Sequence, residues 1–452
     1  MADPRICQRR MNPCDCVFHG FDYLLRLRGY GGTSTFMIAE LAGSLTPEAV
    51  RSALGRAMER HSVLAGAATV SRWRAWPCWT CRDDAVPPHV IHADLRGQKD
   101  WLGEADELCQ DRLSSGWDPA QPPQARIELY SGPGRSRLCL RWPHALMDAE
   151  GAQLLLAEMD RLADDPARGL PAALLPDDAR VNPLAGLGPL RRCMLLLRRA
   201  VRRRPPSSLR GSALPMSLPG GPAGSRRLRY LVRSWSSEAT ARMQARAREV
   251  TPVGPALYSR YLAACTLRAA DCVHKEHGRQ LLVCGLMFPI RMPGLTARPL
   301  PGNYLVAAPL LVAPERLGDR RALGSEIARQ LQYFRHTDGA RSTLALQRLL
   351  AQLRVGQYRR LLGWENDRQP FITGFSFYGE IDPPLRRLLG AEVTNLYGGG
   401  VISIPPAWNV TFSRFADRIS LVVAWPDEVF PQCVVERYAE LIEREALGAP
   451  PE

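Results

Sequence analysis

Lysine is almost missing from this 452-residue chain. Of its 59 basic residues only Lys99 and Lys275 are lysines, and the rest are arginines. Long hydrophobic runs are missing too. No stretch reaches the roughly 18 apolar residues that a membrane-spanning helix needs. The opening MADPRICQRRMNPCDCVF holds no apolar core of signal-peptide length. The twelve cysteines follow no disulfide-framework spacing, which fits free thiols in a reducing compartment. Zinc-finger, RNA-binding-strand and helix-turn-helix signatures are lacking, so nucleic acid is not an expected partner. Together these absences point to a cytoplasmic protein.

The composition is that of a globular chain, 46% hydrophobic and 23% charged. The length suits two or three domains. The formal net charge of +14 gives a basic surface that attracts acidic partners, among them a nucleotide-bearing substrate, an acidic carrier protein or anionic lipid. Two cysteine groups have a metal-like look: Cys14-Asp15-Cys16 and Cys78-Trp79-Thr80-Cys81. The first pair has the wrong spacing for a four-sulfur zinc site, and small buried cysteines are common. No metal is expected.

Along the first half, residues 34–43 read as a strand and SLTPEAVRSALGRAMERH as a helix. Thr46 caps that helix, Pro47 is its first residue, and Val50, Leu54, Ala57 and Met58 form its apolar stripe. HSVLAGAATV reads as a second strand. Residues 125–142 read as a hairpin turning at Ser131-Gly132-Pro133-Gly134. His144 then falls just past a strand, and a helix follows from Ala149 with Leu155, Met159 and Leu162 on one face.

Residues 186–225, rich in Arg, Pro and Gly, read as a connection between an N-terminal unit at 12–185 and a C-terminal unit at 226–447. Within it, PLRRCMLLLRRAVRRRPP is either a surface helix with its leucines on a lobe or an interfacial helix that touches anionic lipid. The second half alternates again. Strands are expected in RRLRYLVRSW, LLVCGLMFPIR, NYLVAAPLLV and FITGFSFYGEI. A second hairpin, NVTFSRF and RISLVVAW, crosses Ala416-Asp417. Helices are expected after Ser236 or Ser237, over GPALYSRYLAACTLRAADCVH, over 324–334 and over 430–445. The fold class is therefore α/β (α+β) with two lobes.

HALMDAEG, carrying His144 and Asp148, resembles the HxxxDG signature of the chloramphenicol-acetyltransferase-like superfamily. That superfamily includes condensation domains, wax-ester synthases and polyketide-associated acyltransferases. LTPEAVRSALGRAMERHSVLAG is similar to the family's opening helix with its Arg60-His61-Ser62-Val63-Leu64 continuation. MFPIRMPG and PGNY are similar to its arginine-bearing strand and Gly-Asn element, here Arg291, Gly302 and Asn303. SFYGEID is similar to its Ser-Asn-x-Gly strand, here Ser376 and Gly379. The resemblance implies two similar lobes, each a mixed, mainly antiparallel sheet with helices, and a tunnel between them.

It also implies acyl transfer from an acyl-CoA or phosphopantetheine thioester to a hydroxyl or amine of a small-molecule or lipid acceptor, with no tightly bound cofactor. The alternatives are a condensation-type enzyme acting on carrier-protein-bound substrates and a non-catalytic homologue that binds a carrier protein or acyl ligand. By the same resemblance His144 is the general base and Asp148 a structural residue paired with Arg291. Ser376, Asn303 and Gly151 are candidate substrate-binding residues. A monomer is expected, with peripheral contact to the inner face of a membrane as an added option.

Three positions depart from the pattern. Pro143 stands where condensation domains carry another histidine. Ala149 stands where glycine is usual, with glycine delayed to Gly151; alanine would be strained if that position needs a positive φ and suited if it begins the helix. Phe377 replaces the asparagine after Ser376. The oxyanion donor is then either Ser376 or a backbone N–H. Blander roles exist for each residue. His144 could simply be hydrogen-bonded in a core, Asp148 could cap a helix, Arg291 could be one exposed arginine among many, and Asn303 could fix a turn. His274 and His277 read as a solvated helix face, and His19 as structural or tunnel-lining.

Overall fold

Asn12 starts the first helix. Its side chain accepts the N–H groups of Cys14 and Asp15, Asp15 returns a bond to the Asn12 N–H, and Pro13 occupies the first helical position. In the computed structural model, which describes residues 6–70, 76–82, 86–165, 184, 187–202, 227–281, 283–292, 300–366, 371–400 and 408–448, this opening is followed by a long alternation of strands and helices. The first half holds β1 (Ile6–Arg10), α1 (Pro13–Leu27), β2 (Ser34–Ala42), α2 (Pro47–Arg60), β3 (Ala67–Val70), β4 (Pro77–Arg82), β5 (His89–Asp94), α3 (Trp101–Ser114), β6 (Arg126–Gly132), β7 (Arg135–Pro143), α4 (Ala149–Asp164) and α5 (Pro189–Arg202). The second holds β8 (Leu228–Trp235), α6 (Ser237–Val250), α7 (Leu257–Glu276), β9 (Cys284–Arg291), β10 (Leu305–Val312), α8 (Arg320–His336), α9 (Gly339–Leu350), α10 (Val355–Asn366), β11 (Phe371–Tyr378), β12 (Arg387–Leu388), β13 (Ala391–Gly399), β14 (Asn409–Phe415), β15 (Arg418–Pro426) and α11 (Gln432–Leu447).

Two six-stranded sheets carry the architecture, in the orders β12-β13-β2-β7-β6-β5 and β10-β9-β11-β14-β15-β8, with a small β1-β4-β3 sheet beside them. Pairing is mainly antiparallel. β5 with β6, and β11 with both β9 and β14, run parallel. The mixed α/β class and the two-sheet plan agree with the sequence reading. Each sheet has its own core. The C-terminal one includes Trp408, Phe412, Phe430 and Tyr438, and the N-terminal one Leu138, Leu140, Trp142 and Leu156.

Space and sequence divide the lobes differently. Residues 387–399 fall in the second half, yet β13 pairs antiparallel with β2, so the N-terminal sheet gains two strands from the C-terminal stretch. Of the expected 186–225 connection, only residues 187–202 are among the described ones.

Thr46 caps α2 as expected, accepting the Ala49 N–H at 3.2 Å, and Val50, Leu54, Ala57 and Met58 are buried. HSVLAGAATV is strand only over Ala67–Val70. Ser62–Ala65 is instead a single 3₁₀ turn, because His61 ends α2 and packs inward beside Glu158. His274 corrects another expectation. It is fully buried on α7, edge-on to Trp408, with both ring nitrogens unpartnered; burial holds it neutral, down to about 4.

Candidate active site

β7 delivers His144. The strand ends at Pro143, and a turn closed by the Leu146 N–H on the Pro143 carbonyl leads to α4. Trp142 fixes the turn by donating its indole N–H to the Met147 carbonyl at 2.8 Å in the core. The His144 N–H donates to the Thr33 carbonyl at 2.9 Å, just ahead of β2. Ala149 is the first residue of α4, where alanine fits without strain.

A segment of the other half, Gly302-Asn303-Tyr304, is stitched onto this turn. The Asn303 amide nitrogen donates to the His144 carbonyl and to Asp15 Oδ1, both at 2.8 Å. Two acceptors on one side fix which way the amide points. Its oxygen therefore faces His144 Nδ1, 3.0 Å away, and Nδ1 carries the proton. The lone pair is left on Nε2, for which no hydrogen bond is found among the described residues; the residue as a whole is half-buried. Phe18 of α1 lies flat on the imidazole, with ring centroids 3.6 Å apart and planes 11° from parallel. Burial lowers the His144 pKa below the usual histidine value, partly offset by its hydrogen bonds and by the Asp148 charge.

Asp148 is buried and caps α4. Oδ1 accepts the Gly151 N–H at 3.0 Å and Oδ2 accepts the Tyr304 N–H at 2.9 Å. The expected pair with Arg291 is replaced by a different arrangement. Arg291 ends β9 opposite Leu305, its side chain is 59% exposed, and it lies 3.7 Å from Glu150. Backbone N–H groups occupy both Asp148 oxygens from within the site, whereas Arg291 faces outward. Gly151 sits in the first turn of α4, where an added Cβ would come within 3.0 Å of the Met147 side chain and 3.6 Å of the Gly302 carbonyl. The tight neighbour of an added Cβ is therefore its own turn, while the Gly302 carbonyl of the other segment stays at ordinary contact distance.

Ser376 lies on β11 opposite Thr411. Strand alternation puts it on the face of Tyr378, which packs on the N-terminal core, and away from Phe375 and Phe377, which join the C-terminal core. Ser376 thus faces the junction of the lobes, without a hydrogen bond to His144. Gly379 is tied to α4 through the Gln153 side-chain amide at 2.9 Å.

Sequence reasoning missed Asp15 and Phe18, both on α1. The N-cap, proline and acid of Asn12-Pro13-Cys14-Asp15 are the signal that could have found this helix.

Among the described residues, Cys14, Cys16, Cys78 and Cys81 do not bring three ligand atoms within 4.8 Å of one another. Cys14 Sγ donates to the Leu305 carbonyl and Cys16 is in the core, where burial raises both thiols. Among the described residues, Cys109, Glu128 and Cys139 do place ligand atoms within 4.8 Å of one another. The Glu128 oxygens, however, are engaged by Arg141 at 2.7 Å and Tyr130 at 2.5 Å, which suits a structural ion pair. His19 keeps both ring nitrogens buried and unpartnered on α1.

Two recesses are found, one near the start of β2 and one beside the Asp15 cap, with His144 itself in the lining of neither. One is lined by Gly32, Ser34, Phe36, Leu228 and Gly400, next to Thr33. The other is lined by Arg9, Arg10, Asn12, Asp15 and Tyr304, next to Asn303.

No family model matches the sequence, and no curated protein matches it. Solved structures do match over nearly the whole chain. The trichothecene 15-O-acetyltransferase TRI3 from Fusarium sporotrichioides is 12% identical with a TM-score of 0.73, covering 99% of this chain and 96% of that one. The first condensation domain of the calcium-dependent antibiotic synthetase, solved with a substrate analogue, is 17% identical with a TM-score of 0.66, covering 98% and 97%. A variant of the starter condensation domain of rhizomide synthetase, solved with C8-CoA and Leu-SNAC, is 14% identical with a TM-score of 0.62, covering 97% and 94%. The chain thus has the fold of these acetyltransferase and condensation-domain structures, the two-lobed plan that the sequence resemblance implied.

Proposed function

We propose that the chain transfers an acyl group from a coenzyme A or carrier-protein thioester to a hydroxyl, or an amine, of a small-molecule or lipid acceptor. The observation that carries this reading is the setting of His144: Nδ1 lies 3.0 Å from the Asn303 oxygen, and the half-buried ring makes no further side-chain hydrogen bond among the described residues, which leaves Nε2 for an acceptor. Nε2 takes the acceptor proton as the acceptor atom attacks the thioester carbonyl. The tetrahedral intermediate then collapses, the C–S bond breaks, and the imidazolium returns the proton to the departing sulfur. A positioned base of this kind supplies about 10²- to 10⁴-fold in rate. Alignment of the two substrates and stabilisation of the oxyanion supply the rest.

Ser376, turned toward the junction, is the side-chain candidate for oxyanion donor. Arg9 and Arg10 beside the second recess suit the phosphates of a pantetheine arm, whether it is borne by coenzyme A or by an acidic carrier. Asp148 and Gly151 support the site by holding the turn against Gly302 and Tyr304.

A lipid acceptor at a membrane surface gains support from α5. Leu190, Met194 and Leu197, spaced i, i+4, i+7, are 75%, 45% and 66% exposed, with Arg191 and Arg192 beside them. Buried Leu195 on the inner side of α5 packs in a cluster with Tyr304 and Cys14. The same helix thus presents an apolar stripe outward and abuts the site inward. Among the described residues no helix is long and apolar enough to cross a membrane.

Replacing His144 by Ala and measuring transfer from a panel of acyl-CoA and acyl-carrier thioesters tests the reading. Loss of at least 10²-fold in kcat is expected. An unchanged rate rules out His144 as base, and no transfer by the natural protein favours a binding role.

A further inference from the structure

The buried carboxylate of Asp15 is bonded to the residue that holds the imidazole, although it does not touch the imidazole itself. Asp15 is 4% exposed. Oδ1 accepts both the Asn303 backbone N–H at 3.0 Å and its side-chain amide N–H at 2.8 Å, while Oδ2 accepts the Asn12 N–H at 3.1 Å. Asn12 in turn donates its own side-chain amide to the Asn303 carbonyl at 3.1 Å. The cap of α1 and Asn303 are therefore bound to each other by three hydrogen bonds across 288 to 291 residues of chain, and a fourth closes the cap on itself. Burying an acid is unfavourable unless it is well paired, and helix capping alone would be served as well at the surface.

We infer that Asp15 is a positioning residue for His144: by anchoring the Asn303 amide it holds the imidazole in the Nδ1–H tautomer and keeps Nε2 free as the base.

The chain of reasoning is one of donors and acceptors. An Asn side chain turned by 180° would offer N–H to Nδ1 and select the other tautomer. In that orientation its oxygen would face Asp15 Oδ1 and the His144 carbonyl, two acceptors. The carboxylate thus supplies one of the two penalties against the flip. Phe18, one turn along the same helix, packs on the ring, so α1 sets both the tautomer and the plane of the imidazole. The consequence for rate rests on the reading of His144 as base, whereas the tautomer itself does not.

Imidazole ¹⁵N chemical shifts of the full chain, selectively labelled on histidine, read the tautomer directly. His144 is assigned among the eight histidines by comparison with His144→Gln. In the natural protein near pH 8, His144 is expected as Nδ1–H. Asp15→Ala is expected to mix the tautomers and to lower kcat about tenfold or more with KM little changed. Asp15→Asn keeps an acceptor toward Asn303 and is expected to restore Nδ1–H and most of kcat, although it disturbs the Asn12 cap. An Nε2–H signal in the natural protein overturns the inference whichever variants fold, as does a loss of Nδ1–H in folded Asp15→Asn or an unshifted signal in folded Asp15→Ala. Should the shifts behave as expected while His144→Ala transfers acyl groups normally, the function fails and the positioning role stands.

Discussion

Asp148 Oδ2 accepts the backbone N–H of Tyr304 at 2.9 Å, a bond between residues 156 positions apart that ties the turn of the N-terminal lobe to the start of β10. The other oxygen caps α4 through Gly151. Removing the carboxylate leaves a buried N–H unpaired, which costs about 1–3 kcal/mol, and deletes a cap worth about 0.5–2 kcal/mol. Asp148→Ala should therefore destabilise by roughly 2–4 kcal/mol. Arg291 and Glu150 form an exposed pair at 3.7 Å, of a kind worth about 0–1 kcal/mol. Arg291→Ala should accordingly shift stability by less than about 1 kcal/mol. Urea unfolding of both variants checks the contrast; comparable losses would restore the Asp148–Arg291 pair that the sequence suggests.

The acid side of the pH profile follows from the environment of His144. Burial holds its pKa below the usual 6.5, so Nε2 stays unprotonated and competent at pH values where an exposed histidine would be half charged. The acid limb of kcat/KM is therefore expected below pH 6.5. The linkage has the same sign. As pH falls through 6.5 the unfolded chain gains a proton that the folded one resists, so this residue's contribution to stability declines toward acid pH. Phe18 supplies much of the contact that excludes water. Phe18→Ala should move the limb upward toward 6.5 and lower kcat roughly 2- to 13-fold, the worth of a stacking contact of about 0.5–1.5 kcal/mol. Rate profiles of the two proteins in overlapping buffers measure both effects.

That His144, Asp148, Gly151 and Asn303 lie together was legible in the sequence because they sit in short motifs whose local shape is fixed by strand end, cap and turn. The stripe of α2 was legible for the same reason. Arg291 was misread because order along the chain does not say which side of a strand end faces the site; its guanidinium lies 3.7 Å from Glu150 instead. Helix α1 escaped notice because its first turn, Cys14-Asp15-Cys16, also looks like a metal motif; the capping pattern was the better guide. The pairing of β13 with β2 was out of reach of periodicity. AEVT alternates as a strand should, but nothing local names a partner some 350 residues away.

Helix α5 makes the last prediction. Leu190, Met194 and Leu197 expose apolar surface on one side, while Arg191 and Arg192 lie alongside and Leu195 docks the helix on the cluster around Tyr304. Burying such a stripe in the headgroup region gains from apolar area and from attraction of arginine to anionic lipid. The protein should float with vesicles containing phosphatidylserine, weakly or not at all with phosphatidylcholine alone, and less as salt rises. Leu190→Ser with Leu197→Ser should abolish flotation without unfolding the chain, since both side chains are exposed and lie outside the packed clusters. If transfer to a water-soluble acceptor is unchanged in that double variant while transfer to a vesicle-borne acceptor falls, the stripe delivers the protein to its substrate and takes no part in the chemistry at His144.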